Sequence, residues 1–285
     1  MSGAQCRRNV GRVAFGLSVW FSFGVAFGAG GVPDSGVRSP LVAVGKVAVP
    51  GVFHLGLDRS LYDSLKDRDV AVLRGFPLPD GPVDLSVEPF SGFAPGAKIL
   101  IGDRESDSRP DHLMLRGFVI GAEESSVFLS MSPRGTSGLI QSRGRKYVIS
   151  SGPNFSRRPV VYDLGALPDG AIEWSPFECH VDQLPAVPRL SERPVEYGRD
   201  EDPPCRVANV AIETDHEFLS RLFDNDQDAA IEYVMTLVGA ISEIYKRDLN
   251  ISLEVGFIRL WPDSNDPWGQ TNAVRQLFEF EESRR

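Results

Sequence analysis

The sequence predicts an α+β chain in which an N-terminal antiparallel β domain is followed by an incomplete α/β unit of β-α-β order. Three observations predict it. Residues 42–178 are a succession of short β-type runs separated by Gly, Pro and Asp. Residues 205–285 instead alternate an apolar run, a long helical period and a second apolar run. Between them, residues 179–204 are rich in Pro and charge, and Pro185, Pro188, Pro194, Pro203 and Pro204 favour an extended, accessible chain.

Taken in order, the chain opens with a leader. Arg7, Arg8 and Arg12 form a positive n-region, Val13 to Phe27 is apolar, and Ala26-Phe27-Gly28 or Gly28-Ala29-Gly30 offers small residues for cleavage. Residues 1–30 therefore read as a signal peptide, which implies a secreted or periplasmic protein with no membrane contact after cleavage. The alternative, an uncleaved anchor, meets a short apolar core weakened by Gly16, Gly24 and Gly28. Net charge is −9, and it falls to −12 once the three leader arginines are removed. An acidic chain without a basic stripe of interleaved aromatics is a poor nucleic-acid partner. The 42% of hydrophobic residues suffices for ordinary cores.

In the β region, strands are expected at Val70 to Leu73, Val83 to Val87, Lys98 to Ile101, Leu113 to Ile120 and Val127 to Met131. Three more follow at Leu139 to Gln141, Tyr147 to Ile149 and Val160 to Tyr162. Their spacing is that of a sandwich. Leu78-Pro79-Asp80-Gly81 and Ser132-Pro133-Arg134-Gly135 are turns, and Ser142-Arg143-Gly144-Arg145 closes a hairpin between Leu139-Ile140 and Tyr147-Val148. Leu61, Tyr62 and Leu65 are at helical spacing within Ser60 to Lys66.

In the C-terminal unit, Arg206 to Thr214 reads as a buried strand. Asp224, Asn225 and Asp226 can cap a helix whose face of Ala230, Tyr233, Val234, Leu237, Ile241, Ile244 and Tyr245 should pack on a sheet. Lys246 and Arg247 complement the dipole of its last turn. Ile251, Leu253, Val255 and Phe257 then alternate against Ser252, Glu254 and Gly256 as a second strand, parallel to the first. Thr271 or Asn272 caps a final helix with Val274, Leu277 and Phe278 on its apolar side. Two strands leave a sheet short of partners, with edge backbone exposed.

These residues carry a resemblance. Cys205 to Phe218 (CRVANVAIETDHEF), the helix after it and Ile258 to Trp268 (IRLWPDSNDPW) resemble the start of the catalytic domain in bacterial relatives of the reprolysin (adamalysin-like) metzincin zinc proteases. Asp69 to Asp103 and Leu115 to Ile140 look like the propeptide of the same precursors. The resemblance implies a metzincin catalytic half-domain behind a propeptide-like β domain, within a secreted endopeptidase that acts on protein or peptide substrates. In that family three His of H-E-x-x-H-x-x-G-x-x-H hold zinc, two of them on one helical face, and the Glu activates the attacking water.

That motif is missing from these residues. The four His are His54, His112, His180 and His216, and His216-Glu217-Phe218-Leu219-Ser220 has Ser where the second ligand belongs, so His216 reads as a surface residue. No catalytic, cofactor or metal residue is therefore assigned: zinc is expected for the complete enzyme and none for this chain alone, which reads as truncated before the zinc helix and inactive by itself. The other reading is a non-catalytic secreted β-rich binding protein. Gly135-Thr136-Ser137-Gly138 lacks the spacing of a nucleophile elbow, and Glu123-Glu124 and Glu281-Glu282 read as solvated faces.

Cys6 leaves with the leader, so Cys179 and Cys205 remain, flanking the linker. One reading is a disulfide, stabilising by roughly 3–4 kcal/mol through loop entropy in an oxidising compartment. A second follows from the resemblance of Phe177 to Leu184 to the family's propeptide Cys segment, which implies that the Cys179 thiolate can block the zinc. A third leaves the thiols unassigned. The linker is also where processing is expected, at Arg189, Arg193 or Arg199, and Asn154 and Asn250 head glycosylation sequons.

Overall fold

The computed structural model describes residues 36–122, 124–151, 157–171, 206–270 and 272–283. The leader, the sequon at Asn154, His180 and the linker with Cys179 and Cys205 lie outside the described residues.

The N-terminal segment comprises β1 (Val37–Arg38), β2 (Leu41–Lys46), β3 (Phe53–Leu57), α1 (Arg59–Leu65), β4 (Ala71–Phe76), β5 (Val83–Pro89), β6 (Phe93–Ile101), β7 (Arg104–Ser106), β8 (Leu113–Val119), β9 (Ser126–Met131), β10 (Thr136–Ser142), β11 (Arg145–Ser150) and β12 (Val160–Asp163). Ten of these strands form one sheet in the order β1-β4-β5-β8-β9-β10-β11-β12-β3-β2. All its pairings are antiparallel except β1 with β4. β1 and β2 stand at opposite ends of that order, yet only Ser39 and Pro40 separate them in sequence. The two margins are thus one stretch of chain, and the sheet has to curl round to join them.

The inner face closes on Leu41, Leu55, Leu73, Leu85, Leu115, Leu129 and Ile140, with Tyr62 and Leu65 of α1. A single curled sheet replaces the sandwich that the spacing suggested, because turn signals set strand lengths and not which margins meet. The hairpin stands as expected: Arg143 (φ 50°) and Gly144 (φ 76°) make the turn, and Leu139 pairs with Val148 and Ile140 with Tyr147.

Gly117 of β8 is one glycine that the sheet requires. A Cβ there would lie 1.9 Å from the Ser86 carbonyl oxygen of β5. Gly117→Ala is expected to cost about 3 kcal/mol by prising these strands apart, whereas Gly45→Ala, with nothing within 4 Å, should stay within about 0.5 kcal/mol of the parent. Urea unfolding of both variants checks this.

The C-terminal segment comprises β13 (Arg206–Glu213), α2 (His216–Phe223), α3 (Gln227–Leu249), β14 (Ile251–Leu260) and α4 (Ala273–Ser283). Its sheet has the order β13-β14-β6-β7. β13 and β14 are parallel, as the β-α-β pattern predicts, and β6 of the N-terminal segment continues the parallel series beside β14. Phe93 opposes Val255; after an irregularity that takes in Pro95 and Gly96 (φ 75°), Lys98 to Ile101 oppose Phe257 to Leu260. The strand expected only at Lys98 thus begins five residues earlier. Gly256 forms a bulge in β14 that breaks the predicted alternation, so that Val255, Ile258 and Leu260 are its buried apolar residues.

One expectation is corrected at β13. It was read as buried, but Arg206, Val207, Ala208 and Asn209 are exposed, because among the described residues no strand pairs with its outer edge.

α3 lies between the two sheets. Asp226 caps it by accepting the Ala229 N–H, and Asn250 ends it in the left-handed conformation. On one side, Ser242 Oγ accepts the Leu253 N–H of β14. On the other, Gly239 permits close approach to the outer face of the curled sheet: a Cβ there would be 2.9 Å from the Phe128 ring and 3.1 Å from Met114 Sδ. Burial on two sides displaces the apolar stripe predicted for α3. Ala230 and Val234 are buried as expected, but Leu237 (49% exposed) and Tyr245 (42%) face outward. The shared core joins Ile99, Met114 and Phe128 to Ile231, Val234, Met235, Val238, Val255 and Ile258. Asn272 Oδ1 caps α4 as predicted. No helix among the described residues is long and apolar enough to cross a membrane.

Candidate functional site

The seam between α3 and the outer face of the curled sheet brings together the buried polar residues Ser130, Ser132 and Glu232. Met114, Arg116, Phe128 and Ser130 share that face because β8 and β9 alternate in register, with Met114 opposite Ser130 and Arg116 opposite Phe128. The turn Ser132-Pro133-Arg134-Gly135 then carries Ser132 and Arg134 to the N-terminal half of α3.

At that end, Glu232 is fully buried. Its carboxylate accepts from Ser132 Oγ at 2.8 Å and from Arg134 at 2.7 Å. Burial pushes the Glu232 carboxyl up, and Ser132 and Arg134 pull it back toward the charged form. Arg134 also lies 3.4 Å from Asp226 and 3.6 Å from Asp228, so one guanidinium gathers three acids of α3 and its cap. Ser108 adds a hydrogen bond to Asp228 at 2.7 Å.

One turn further along α3, His112 Nε2 lies 2.6 Å from Ser130 Oγ, and Ser130 Oγ lies 2.6 Å from Thr236 Oγ1. A His beside a Ser invites comparison with a nucleophile and its base. The geometry argues against it: Ser130 is 1% exposed, and Asp111 bonds Tyr62 and Lys66 instead of orienting the ring. The chain of three groups ties a strand to a helix.

Burial pushes the His112 imidazole down from 6.5 to about 4. The unfolded chain then binds the extra proton between those values, so this contribution is complete above pH 6.5 and is lost as pH falls toward 4. It amounts to about 3 kcal/mol. The protein should therefore lose stability on acidification through this window, and His112→Gln should flatten that slope; urea midpoints of both proteins at pH 7 and pH 4.5 check it.

At the C-terminal end of α3, Arg116 bonds Glu88 at 2.9 Å, lies 4.0 Å from Glu243 and stacks over Phe90. Burial raises Glu243 and lowers Lys246, both toward their neutral forms. These groups border a cleft of about 590 Å³ with Ser86, Phe118 and Asn250.

The residues singled out in sequence are not brought together. His54 lies on β3, His112 just before β8 and His216 at the first turn of α2, while Cys179 and Cys205 fall outside the described residues. His216 is half-buried and not the surface residue expected: α2 begins there, Asp266 accepts its backbone N–H, and its Nδ1 is enclosed without a partner. Glu217 pairs only with Arg221 at 3.7 Å, one helical turn on. Among the described residues no group of three or more His, Cys, Asp or Glu is placed to hold a metal ion.

In sequence, His112 is one of four isolated His and Arg134 a turn residue, while Ser130, Glu232 and Thr236 carry no motif. One signal is present: Glu232 interrupts the apolar run between Ile231 and Tyr233, and a charge inside such a run points to a buried partner.

No family model and no curated protein matches the sequence. Among solved structures, metalloproteinase-II from Bacteroides fragilis is similar over 79% of this chain and 62% of that one, with a TM-score of 0.34 and 10% identity. The chain thus spans less than two thirds of that protein's length. At that score the likeness decides neither fold nor function.

Proposed function

We propose that this chain is the N-terminal part of a secreted zinc-dependent metalloendopeptidase precursor. Residues 1–30 are its signal peptide, 42–178 its propeptide, 179–204 the linker that is processed, and 205–285 the opening of its catalytic domain. The sequence resemblance of Asp69 to Asp103, Leu115 to Ile140 and Cys205 to Trp268 supports this reading. The structural observation that carries it is the course of β6, which leaves the curled sheet's segment to pair in parallel with β14.

A propeptide that assists folding has to offer the catalytic segment surfaces it cannot form alone. Here the N-terminal segment contributes a strand to the second sheet and a seat for α3. In this reading zinc and the peptide substrate belong to the complete enzyme, and these 285 residues, which lack the H-E-x-x-H-x-x-G-x-x-H sequence, hydrolyse no peptide bond.

Sequencing the locus past the codon for Arg285 tests the proposal. Finding the motif in frame, with chelator-sensitive peptide cleavage by the longer product after a cut within residues 179–204, is the expected result. A locus without the motif would overturn it in favour of a non-catalytic secreted protein.

A further inference from the structure

A cavity of about 250 Å³ opens beside the seam, with Phe90, Phe93, Arg109, His112, Met114 and Met235 in its lining. Phe93 begins β6, Met114 belongs to β8 and Met235 to α3, so both segments build its walls. A Cβ on Gly92 would lie 2.8 Å from the methyl carbon of Met114 and 2.8 Å from that of Met235, so both side chains end against the Gly92 backbone. Both are buried, yet methionine is unbranched and flexible enough to re-form around a guest.

Among the described residues that line it, the cavity holds a single formal charge at neutral pH, the Arg109 guanidinium, and no carboxylate. His112 adds no charge there, because burial pushes its imidazole down to about 4. Arg109 donates to Ser108 O at 2.9 Å and to Ala97 O at 3.0 Å, and its guanidinium carbon lies 5.0 Å from the centre of the Phe93 ring. These contacts fix the group without neutralising it, and it forms no ion pair with a described residue. Each of the two donating nitrogens keeps a second N–H. A tether for the loop needs no open space beside it, whereas this guanidinium borders a cavity walled by aromatic rings and thioethers.

We propose that this cavity binds a small apolar monocarboxylate of about the size of phenylacetate, its carboxylate on Arg109 and its hydrocarbon part among Phe90, Phe93, Met114 and Met235. A planar guanidinium held in one orientation is matched to a carboxylate, to which it can donate two parallel hydrogen bonds. An apolar cavity of about 150 Å³ takes benzene, so this one admits a ring and a carboxylate together. The lining offers an amine no acid to pair with, and the second charge of a dicarboxylate would be buried against apolar walls at a large cost. Because the walls come from both segments, occupancy clamps α3 to β6 and β8 and raises the unfolding midpoint. This inference does not depend on the protease reading.

The test uses the full chain with isotope-labelled methionine methyl groups, read by NMR. Phenylacetate should shift the Met114 and Met235 signals, assigned from Met114→Leu and Met235→Leu, with a Kd of about 1 mM or tighter. Met131, in the core of the curled sheet, should stay in place as the internal reference. Phenylacetamide and phenethylamine, which keep the ring and lose the carboxylate, should bind about tenfold more weakly or worse. Arg109→Gln should weaken phenylacetate by about fivefold or more. Lys98→Gln, which removes the same charge from a side chain 61% exposed on β6, should change it by less than about twofold. A short peptide with a C-terminal Phe, titrated alongside, distinguishes the two sources of such a group: tighter binding of the peptide assigns a chain terminus, tighter binding of phenylacetate a free acid. No shift of Met114 and Met235 at about 10 mM phenylacetate, equal binding of phenylacetamide, or unchanged affinity in Arg109→Gln would overturn the assignment.

Discussion

Residues 206–283, produced without the N-terminal segment, are expected to aggregate instead of folding as a monomer. Deleting residues 36–171 strips β14 of its parallel neighbour β6, leaving a row of unpaired N–H and C=O groups on a strand already flanked by the open edge of β13. It also removes Ile99, Met114 and Phe128 from the core around α3. Each of these burials stabilises by about 2 kcal/mol, or about 6 kcal/mol together, which is of the order of a small domain's whole stability. Size-exclusion chromatography and thermal melting of the fragment check this. Adding residues 36–171 in trans should restore a soluble complex, and a monomeric fragment that melts cooperatively would count against the account.

Arg134→Ala is expected to cost about 3 kcal/mol, a large effect for a side chain one-third exposed. The reason lies with its partner: Glu232 is fully buried, and without the guanidinium it retains, among the described residues, the Ser132 hydroxyl as its hydrogen-bond donor. Removing one member of a buried pair leaves a charge without compensation, which costs about 3–5 kcal/mol in fully enclosed cases. Partial exposure of Arg134, at 34%, places the expected loss at the low end. The double variant Arg134→Ala, Glu232→Gln should recover much of the loss, because the carboxylate that suffers is no longer there. Urea unfolding of the single and double variants reads the coupling directly.

Much of the element list was legible in the sequence because it rests on local chemistry. Asp226 as a cap, Asn272 as a cap, the Arg143-Gly144 turn and the parallel order of β13, α3 and β14 all follow from residues close together in the chain. What escaped was decided at long range. β6 reads as one more strand of the β region, and nothing in Phe93 to Ile101 says that its neighbour is a strand more than 150 residues further on. That pairing fills the sheet edge that two strands alone would leave empty. It also places α3 between two sheets, which is why Leu237 and Tyr245 are outside and Glu232 and Thr236 are inside. The seam was obscure for the same reason: apart from Glu232 its polar residues are unremarkable singly, and the approach of α3 to β8 and β9 makes them partners.

The central claim is that the two segments form one folding unit through β6 and α3. Native-state hydrogen exchange of residues 93–101 and 251–260, followed alongside residues 113–119 and 126–131, tests it most directly. One unit predicts that the amides of β6 and β14 open with the same free energy as those of β8 and β9, within about 1 kcal/mol. Rapid exchange of β6 and β14 while β8 and β9 stay protected would contradict it, showing that the second sheet unfolds on its own and that the N-terminal segment does not hold it.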